Sequence, residues 1–260
     1  MTAVLKDKIV WITGAGSGIG AETAKQLARR GAVPILTGRN EERLRRTADE
    51  IGARCGVYRL DVTDNGQVQD VARRIQSEFG PVDVLVNNAG FGIFEMFRDA
   101  PLDHIEAMMD TNYMGMVRCT KAVLPSFLAR RDGHIVNIAS IAGKFATPKS
   151  TGYSASKHAV LGFTNALRLE LAGTGVAVSA VNPGPIDTPF FEIADPQGHY
   201  VRNVRRFMMK PEKVAERIVK VIETRKAEID LPLAAAIGVR LYHLFPRIGD
   251  RVAGKWLDRK

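Results

Sequence analysis

Tyr153 and Lys157 stand four positions apart in the run Tyr153-Ser154-Ala155-Ser156-Lys157. On a helix that spacing puts both side chains on one face, where a phenol and an ammonium can converge on one reacting group. A free tyrosine titrates at about 10, too high for efficient proton exchange at neutral pH. A neighbouring ammonium favours the phenolate and draws that value down. The pair is therefore a candidate acid/base centre, although the same spacing also describes an ordinary surface contact. Ser140 comes just after a β-rich run and is either a hydrogen-bond donor to developing negative charge or a cap or turn residue.

A second chemical signal is Thr13-Gly14-Ala15-Gly16-Ser17-Gly18-Ile19-Gly20, set between a strand-like run and a helical one. Its glycines permit a tight turn and close backbone approach, and the helix beginning there offers its positive N-terminus to a pyrophosphate. A purely structural turn is the other reading, which the strand-to-helix setting disfavours. In a unit built for NAD, an acidic residue closes the second strand about 20 residues on and holds the ribose 2′-hydroxyl. Here Gly38 occupies that position and Arg39 follows it. A guanidinium suits the 2′-phosphate that a carboxylate would repel, so NADP(H) is the expected cofactor; the alternative is a solvated charge before a surface helix.

These residues need a frame to hold them. Short β-rich runs at residues 9–13, 33–37, 56–60, 82–87, 134–139, 176–181 and 228–231 alternate with helical patterns at 18–30, 41–51, 65–79, 103–130, 152–172 and 211–224. That alternation predicts an α/β fold: a single-domain Rossmann architecture, doubly wound, with a seven-stranded parallel sheet and helices on both faces. With 260 residues, 45% of them hydrophobic, one domain over residues 1–231 with an extension at 232–260 suffices. Residues 187–210 read as a loop with short helices.

Asn87-Asn88-Ala89-Gly90 follows the fourth run, Ser140 the fifth, and Tyr153 and Lys157 come next. With these motifs and Thr13-Gly14-x-x-x-Gly18-x-Gly20 in order, the chain resembles the short-chain dehydrogenase/reductase family from about residue 6 to residue 231. Asp61-Val62 matches the family's adenine-side pair, Pro183-Gly184 with Thr188 its nicotinamide-side segment, and Asn112 its structural and proton-relay asparagine. The resemblance implies hydride transfer between the nicotinamide and a carbonyl or alcohol substrate. Tyr153 would be the acid/base, and Ser140 would donate to the carbonyl oxygen. Lys157 would lower the Tyr153 pKa and bond the nicotinamide ribose. Asn112 would hold a water linking Lys157 to solvent, or merely satisfy backbone groups at a helix irregularity. The cofactor would contact Gly14, Gly16, Ser17, Gly18, Ile19, Gly20, Arg39, Asp61, Val62, Asn88, Ala89, Gly90, Pro183, Gly184 and Thr188. Helices after the fourth and fifth strands pair across subunits in this family, so a homodimer or homotetramer is expected.

Phe190, Phe191, Ile193, Tyr200, Val201, Val204, Phe207, Met208 and Met209 make the 187–210 region apolar. They suit a lipophilic substrate, or simply pack the loop onto its own domain. A 3-oxoacyl-carrier-protein reductase shares every motif, and a catalytically quiet NADP(H)-binding regulator is a further alternative. Beyond residue 232, Ile237, Leu241, Leu244, Phe245, Ile248, Val252 and Trp256 form a stripe among basic residues, which either packs on protein or contacts an anionic membrane surface. No run approaches the roughly 20 apolar residues of a membrane span, and no signal peptide is recognisable, so a cytoplasmic location is expected. The formal charge of +9 reads as a solvated basic surface, and no nucleic-acid partner is expected. Cys55 and Cys119 have no metal or redox spacing and are expected to be buried; the five histidines have no metal-ligand spacing.

Overall fold

The computed structural model describes residues 4–244, less the side chains of residues 235, 236, 240 and 243. Within them the chain runs β1 (Ile9–Thr13), α1 (Gly18–Arg29), β2 (Val33–Gly38), α2 (Glu41–Ile51), β3 (Gly56–Arg59), α3 (Asn65–Glu78), β4 (Val84–Asn87) and α4 (Leu102–Met109). It continues with α5 (Gly115–Arg130), β5 (Gly133–Ile138), α6 (Thr151–Glu170), β6 (Val176–Pro183), α7 (Phe190–Ala194), α8 (His199–Val204), α9 (Pro211–Thr224), β7 (Glu228–Leu231) and α10 (Leu233–Leu244). All seven strands are parallel and form one sheet in the order β3-β2-β1-β4-β5-β6-β7.

The alternation of side chains along each strand explains why helices cover both faces. In β1, all of whose residues are buried, Val10 and Ile12 face a core shared with Ala24 and Leu27 of α1 and Ile218 and Ile222 of α9. Ile9 and Trp11 face the other core, with Ile75 of α3 and Val123 and Phe127 of α5. A strand buried on both faces reads as a continuous apolar run, and that is what the sequence offers here. Local signals end the elements. Asn40 accepts from the Arg43 N–H to start α2, and Asp64 from the Gln67 N–H to start α3; Gly52, at φ 59°, ends α2.

The strand order reverses between β1 and β4, so the loops leaving their carboxyl ends diverge and open a crevice, the usual ligand position in such sheets. One expected element differs. The long helix predicted over 103–130 is divided into α4 and α5 by a π turn at Asp110–Met114. The widened turn carries Asn112, whose side chain is committed to a distant backbone loop.

Candidate functional site

Two loops form the floor of the crevice. Thr13 Oγ1 accepts from the N–H groups of Asn88 and Ala89, both at 3.0 Å. Asn88 Nδ2 donates back to Thr13 O at 2.9 Å and Gly14 O at 3.1 Å. The loop after β4 is thus held against the glycine loop after β1. Gly14 lies at φ 67°, and a Cβ there would come within 3.0 Å of Ala89 Cα; only glycine fits both the conformation and the approach. A Cβ on Gly20 would sit 2.3 Å from Gly14 O, so that glycine lets α1 begin directly under the turn. Ser17 makes no side-chain capping bond, which leaves first-turn amides of α1 to face an anion.

A cavity of about 850 Å³ runs along these loops. At one end it is lined by Gly38, Arg39, Arg43, Leu60, Asp61 and Val62, with the Asp61 carboxylate accepting from Thr63 N and Oγ1 at 3.0 and 2.8 Å. At the other end lie Ser140, Tyr153, Lys157, Pro183, Gly184 and Thr188; Gly14, Ser17, Gly18, Ile19, Asn88, Ala89 and Gly90 join the two. Gly16, Gly20 and Asn112 stand behind the wall rather than on it. Glycine at 14, 18 and 20, with uncapped amides at the head of α1, leaves room along the floor for an extended dinucleotide, so these residues fit the nicotinamide cofactor that the sequence implies.

Ser140 follows β5. Its Oγ accepts from Ala142 N at 3.0 Å and donates to Pro183 O at 3.3 Å. Tyr153 and Lys157 project from one face of α6, and the Lys157 ammonium lies 5.8 Å from the centre of the Tyr153 ring. Lys157 is 5% exposed, and its Nζ donates to Ile138 O at 2.9 Å. Burial dominates both groups. It raises the Tyr153 phenol to about 12, against the opposing pull of a hydrogen bond with Ser140, and lowers the Lys157 ammonium to about 8. In this structure burial sets the direction of the Tyr153 shift.

Asn112 is 3% exposed and acts as a backbone clamp. Its Oδ1 accepts from Phe91 N, and its Nδ2 donates to Phe91 O and Ser156 Oγ, each at 2.9 Å. Ser156 Oγ in turn donates to Tyr153 O at 2.7 Å. The side chain thereby ties the loop after β4 to the start of α6.

The sequence is matched over residues 8–197 by the family model for short chain dehydrogenase. The chain belongs to the short-chain dehydrogenase/reductase family. An uncharacterised oxidoreductase of Staphylococcus saprophyticus is 44% identical over 189 residues, covering 71% of this chain and 81% of that protein. Among solved structures, a family member from Burkholderia phymatum in complex with NAD superposes with a TM-score of 0.87 at 29% identity, over 94% of this chain and 95% of that one. A variant of the actinorhodin polyketide ketoreductase with NADPH gives 0.79 at 34% identity, over 89% and 97%.

This short-chain dehydrogenase also lines its cavity with residues that sequence reasoning missed. Phe94, in the loop after β4, meets Tyr153, Phe190, Phe191 and Tyr200 with ring centres 5.1–6.4 Å apart. Its only signal is an apolar run after Gly90. Gly92 allows this packing, since a Cβ there would lie 2.8 Å from Phe190 Cζ and 3.1 Å from Tyr153 Cδ2. Phe190, Phe191, Ile193 and Tyr200 line the cavity as expected, whereas Phe207 is exposed and Met209 packs on the core. In α10, Val239 is buried and Tyr242 stacks edge-on with Phe145, a cavity-lining residue, while Leu233, Ile237, Leu241 and Leu244 are exposed. Phe245, Ile248, Val252 and Trp256 lie outside the described residues. Cys119 is buried as expected but Cys55 is only half-buried. Among the described residues no cluster of three or more His, Cys, Asp or Glu could hold a metal, and no helix is long and apolar enough to cross a membrane.

Proposed function

We propose that this oxidoreductase is an NADP(H)-dependent reductase or dehydrogenase acting on a lipophilic ketone, aldehyde or alcohol. The carrying observation is Arg39 at the cavity wall beside Gly38, where an NAD-specific site would present a carboxylate. The glycine loop, Asn88, Ala89 and Gly90 would hold the pyrophosphate and ribose, Asp61 and Val62 the adenine, and Pro183, Gly184 and Thr188 the nicotinamide. Bound there, the nicotinamide supplies or accepts the hydride. Ser140 donates to the substrate oxygen as negative charge builds on it, and Tyr153 gives a proton to that oxygen or takes one from it. Lys157 orients the ribose and keeps positive charge near the phenol. The rings of Phe94, Phe190, Phe191 and Tyr200 around Tyr153 support an apolar substrate and exclude water from the reacting oxygen.

Two measurements test the reading. Titration with NADPH and NADH should show tighter NADPH binding, with much of the difference erased in Arg39→Ala. One charge-assisted contact contributes about 1.5–3 kcal/mol, or roughly 10- to 150-fold. Equal affinities in the wild type refute the cofactor assignment. A carbonyl panel followed by NADPH absorbance identifies the substrate class; preference for small hydrophilic carbonyls over apolar ones refutes the lipophilic assignment.

A further inference from the structure

Ser140 stands at the head of a short turn whose far end is held by charge. Ile141–Gly143 form a single 3-10 turn after β5, closed by Gly143 N–H donating to Ser140 O and Lys144 N–H donating to Ile141 O, both at 2.9 Å. A Cβ on Gly143 would lie 2.7 Å from Lys157 O, so the turn rests directly on the catalytic helix α6. Ile141, Ala142 and Gly143 have no polar side chain; Lys144 is the first residue of the segment that can reach the sheet with one. Its Nζ lies 2.5 Å from Glu228 Oε1 and 2.6 Å from Asp230 Oδ1, both on β7.

Those two oxygens are shared. Asn182, fully buried in β6, donates from Nδ2 to Glu228 Oε1 and to Asp230 Oδ1, each at 2.7 Å. Glu228 and Asp230 are two apart and so lie on one face of the strand, where their charges repel unless a cation stands between them. Burial opposes the Lys144 charge, but its bonds and ion pairs with Asp230 and Glu228 outweigh burial and raise its pKa, so the ammonium stays charged at neutral pH. Beside Asn182 stands Pro183, whose carbonyl accepts from Ser140 Oγ at 3.3 Å. A closed circuit therefore runs from Ser140 through the turn to Lys144, across the carboxylates of β7 to Asn182, and through Pro183 back to the Ser140 hydroxyl. Lys144 does not line the catalytic cavity; it reaches the chemistry through Ser140.

Resting on the reading of Ser140 as the donor to the substrate oxygen, we propose that Lys144 is a positioning residue: by bridging Glu228 and Asp230 it fixes the turn that aims the Ser140 hydroxyl. The test is a double-mutant cycle on kcat, with NADPH and the fastest of decanal, acetophenone and cyclohexanone. Ser140→Ala alone should lower kcat by roughly 10²- to 10³-fold, the span for one lost donor to a developing oxyanion. Lys144→Met should lower kcat about tenfold through misplacement of the hydroxyl, with NADPH affinity unchanged as the check that the fold is intact. In the Ser140→Ala background the same change should cost less than about twofold, because the group it aims is already gone. Lys144→Arg keeps a cation between the carboxylates and should recover most of the rate. Asp230→Asn, which removes one carboxylate at constant size, should give a smaller loss that Ser140→Ala likewise erases, so the circuit stays testable should Lys144→Met fail to fold. Equal losses in both backgrounds, or wild-type kcat in Lys144→Met, refute the positioning role and leave the assignment of Ser140 standing. Wild-type kcat in Ser140→Ala overturns both.

Discussion

Replacing Asn112 by alanine separates a structural clamp from a proton-relay residue. The substitution removes three hydrogen bonds. Ser156 Oγ keeps its bond to Tyr153 O, so the orphaned groups are Phe91 N–H and Phe91 C=O. Each unsatisfied buried group costs about 1–3 kcal/mol. Phe91 is only half-buried, so water recovers part of that, and the expected loss is about 2–4 kcal/mol. For a chain of this length about 1 kcal/mol moves the midpoint by roughly 2–4 °C, so Tm should fall by about 5–15 °C. Urea unfolding and a thermal melt measure the loss. Asn112→Asp, which keeps an acceptor for Phe91 N–H but no amide donor, should fall between wild type and alanine. A stability change below about 0.5 kcal/mol accompanied by a collapse of kcat would refute the clamp and restore the relay role.

Tyr153→Phe should lower kcat by roughly 10²- to 10⁴-fold, the usual span for a lost general acid or base, with NADPH affinity nearly unchanged; near-normal turnover on the best substrate excludes Tyr153 as the acid/base. Gly92→Ala should displace the Tyr153 and Phe190 rings, lowering kcat at least tenfold while NADPH binding survives, and equal kinetics would show that the loop yields without cost. Lys157→Met should stabilise the protein at neutral pH, because the folded-state pKa of about 8 against 10.5 corresponds to about 3 kcal/mol of burial penalty. Its lost bond to Ile138 O offsets part of this. The penalty is full below about 8 and fades as pH rises towards 10.5, so the gain in urea midpoint should vanish over that window. A variant no more stable than wild type at pH 7 contradicts the assignment. Light scattering at micromolar concentration should find a homodimer or homotetramer, and a monomer would exclude the expected pairing of α5 and α6 across subunits.

Much of this fold could be read directly because its signals are local. β1 falls where a β-branched run places it, β7 has the predicted bounds, and so do α2 and α9, set by Asn40 and Gly52 in one case and by Pro211 in the other. What escaped depends on contacts distant in sequence. The π turn in the 103–130 helix exists around an asparagine that bonds a loop 21 residues away, and no periodicity reports that. Val82 is buried yet precedes the ladder that opens β4, so an apolar run overestimated the strand. Among the residues lining the cavity, Tyr153, Lys157 and Ser140 were singled out by type and order. Phe94 and Arg43 were not, because a loop phenylalanine and an arginine in the first turn of a helix look ordinary until tertiary packing sets them on the cavity wall.

Burial acts on Tyr153 and Lys157 in opposite numerical directions but towards the same end, the neutral form of each. With the phenol at about 12 and the ammonium at about 8, a proton is held more tightly by Tyr153 than by Lys157. At neutral pH the phenol is therefore protonated and set to donate. An alkoxide is more basic than a phenolate, so transfer from Tyr153 to the reduced substrate oxygen runs downhill in the proposed reaction. The oxidative direction must move that proton the other way, which places its favourable range at higher pH than that of reduction. The same burial that destabilises the Lys157 ammonium thus keeps Tyr153 in its proton-donating form, so a Lys157 variant that gains stability should leave the phenol protonated at neutral pH.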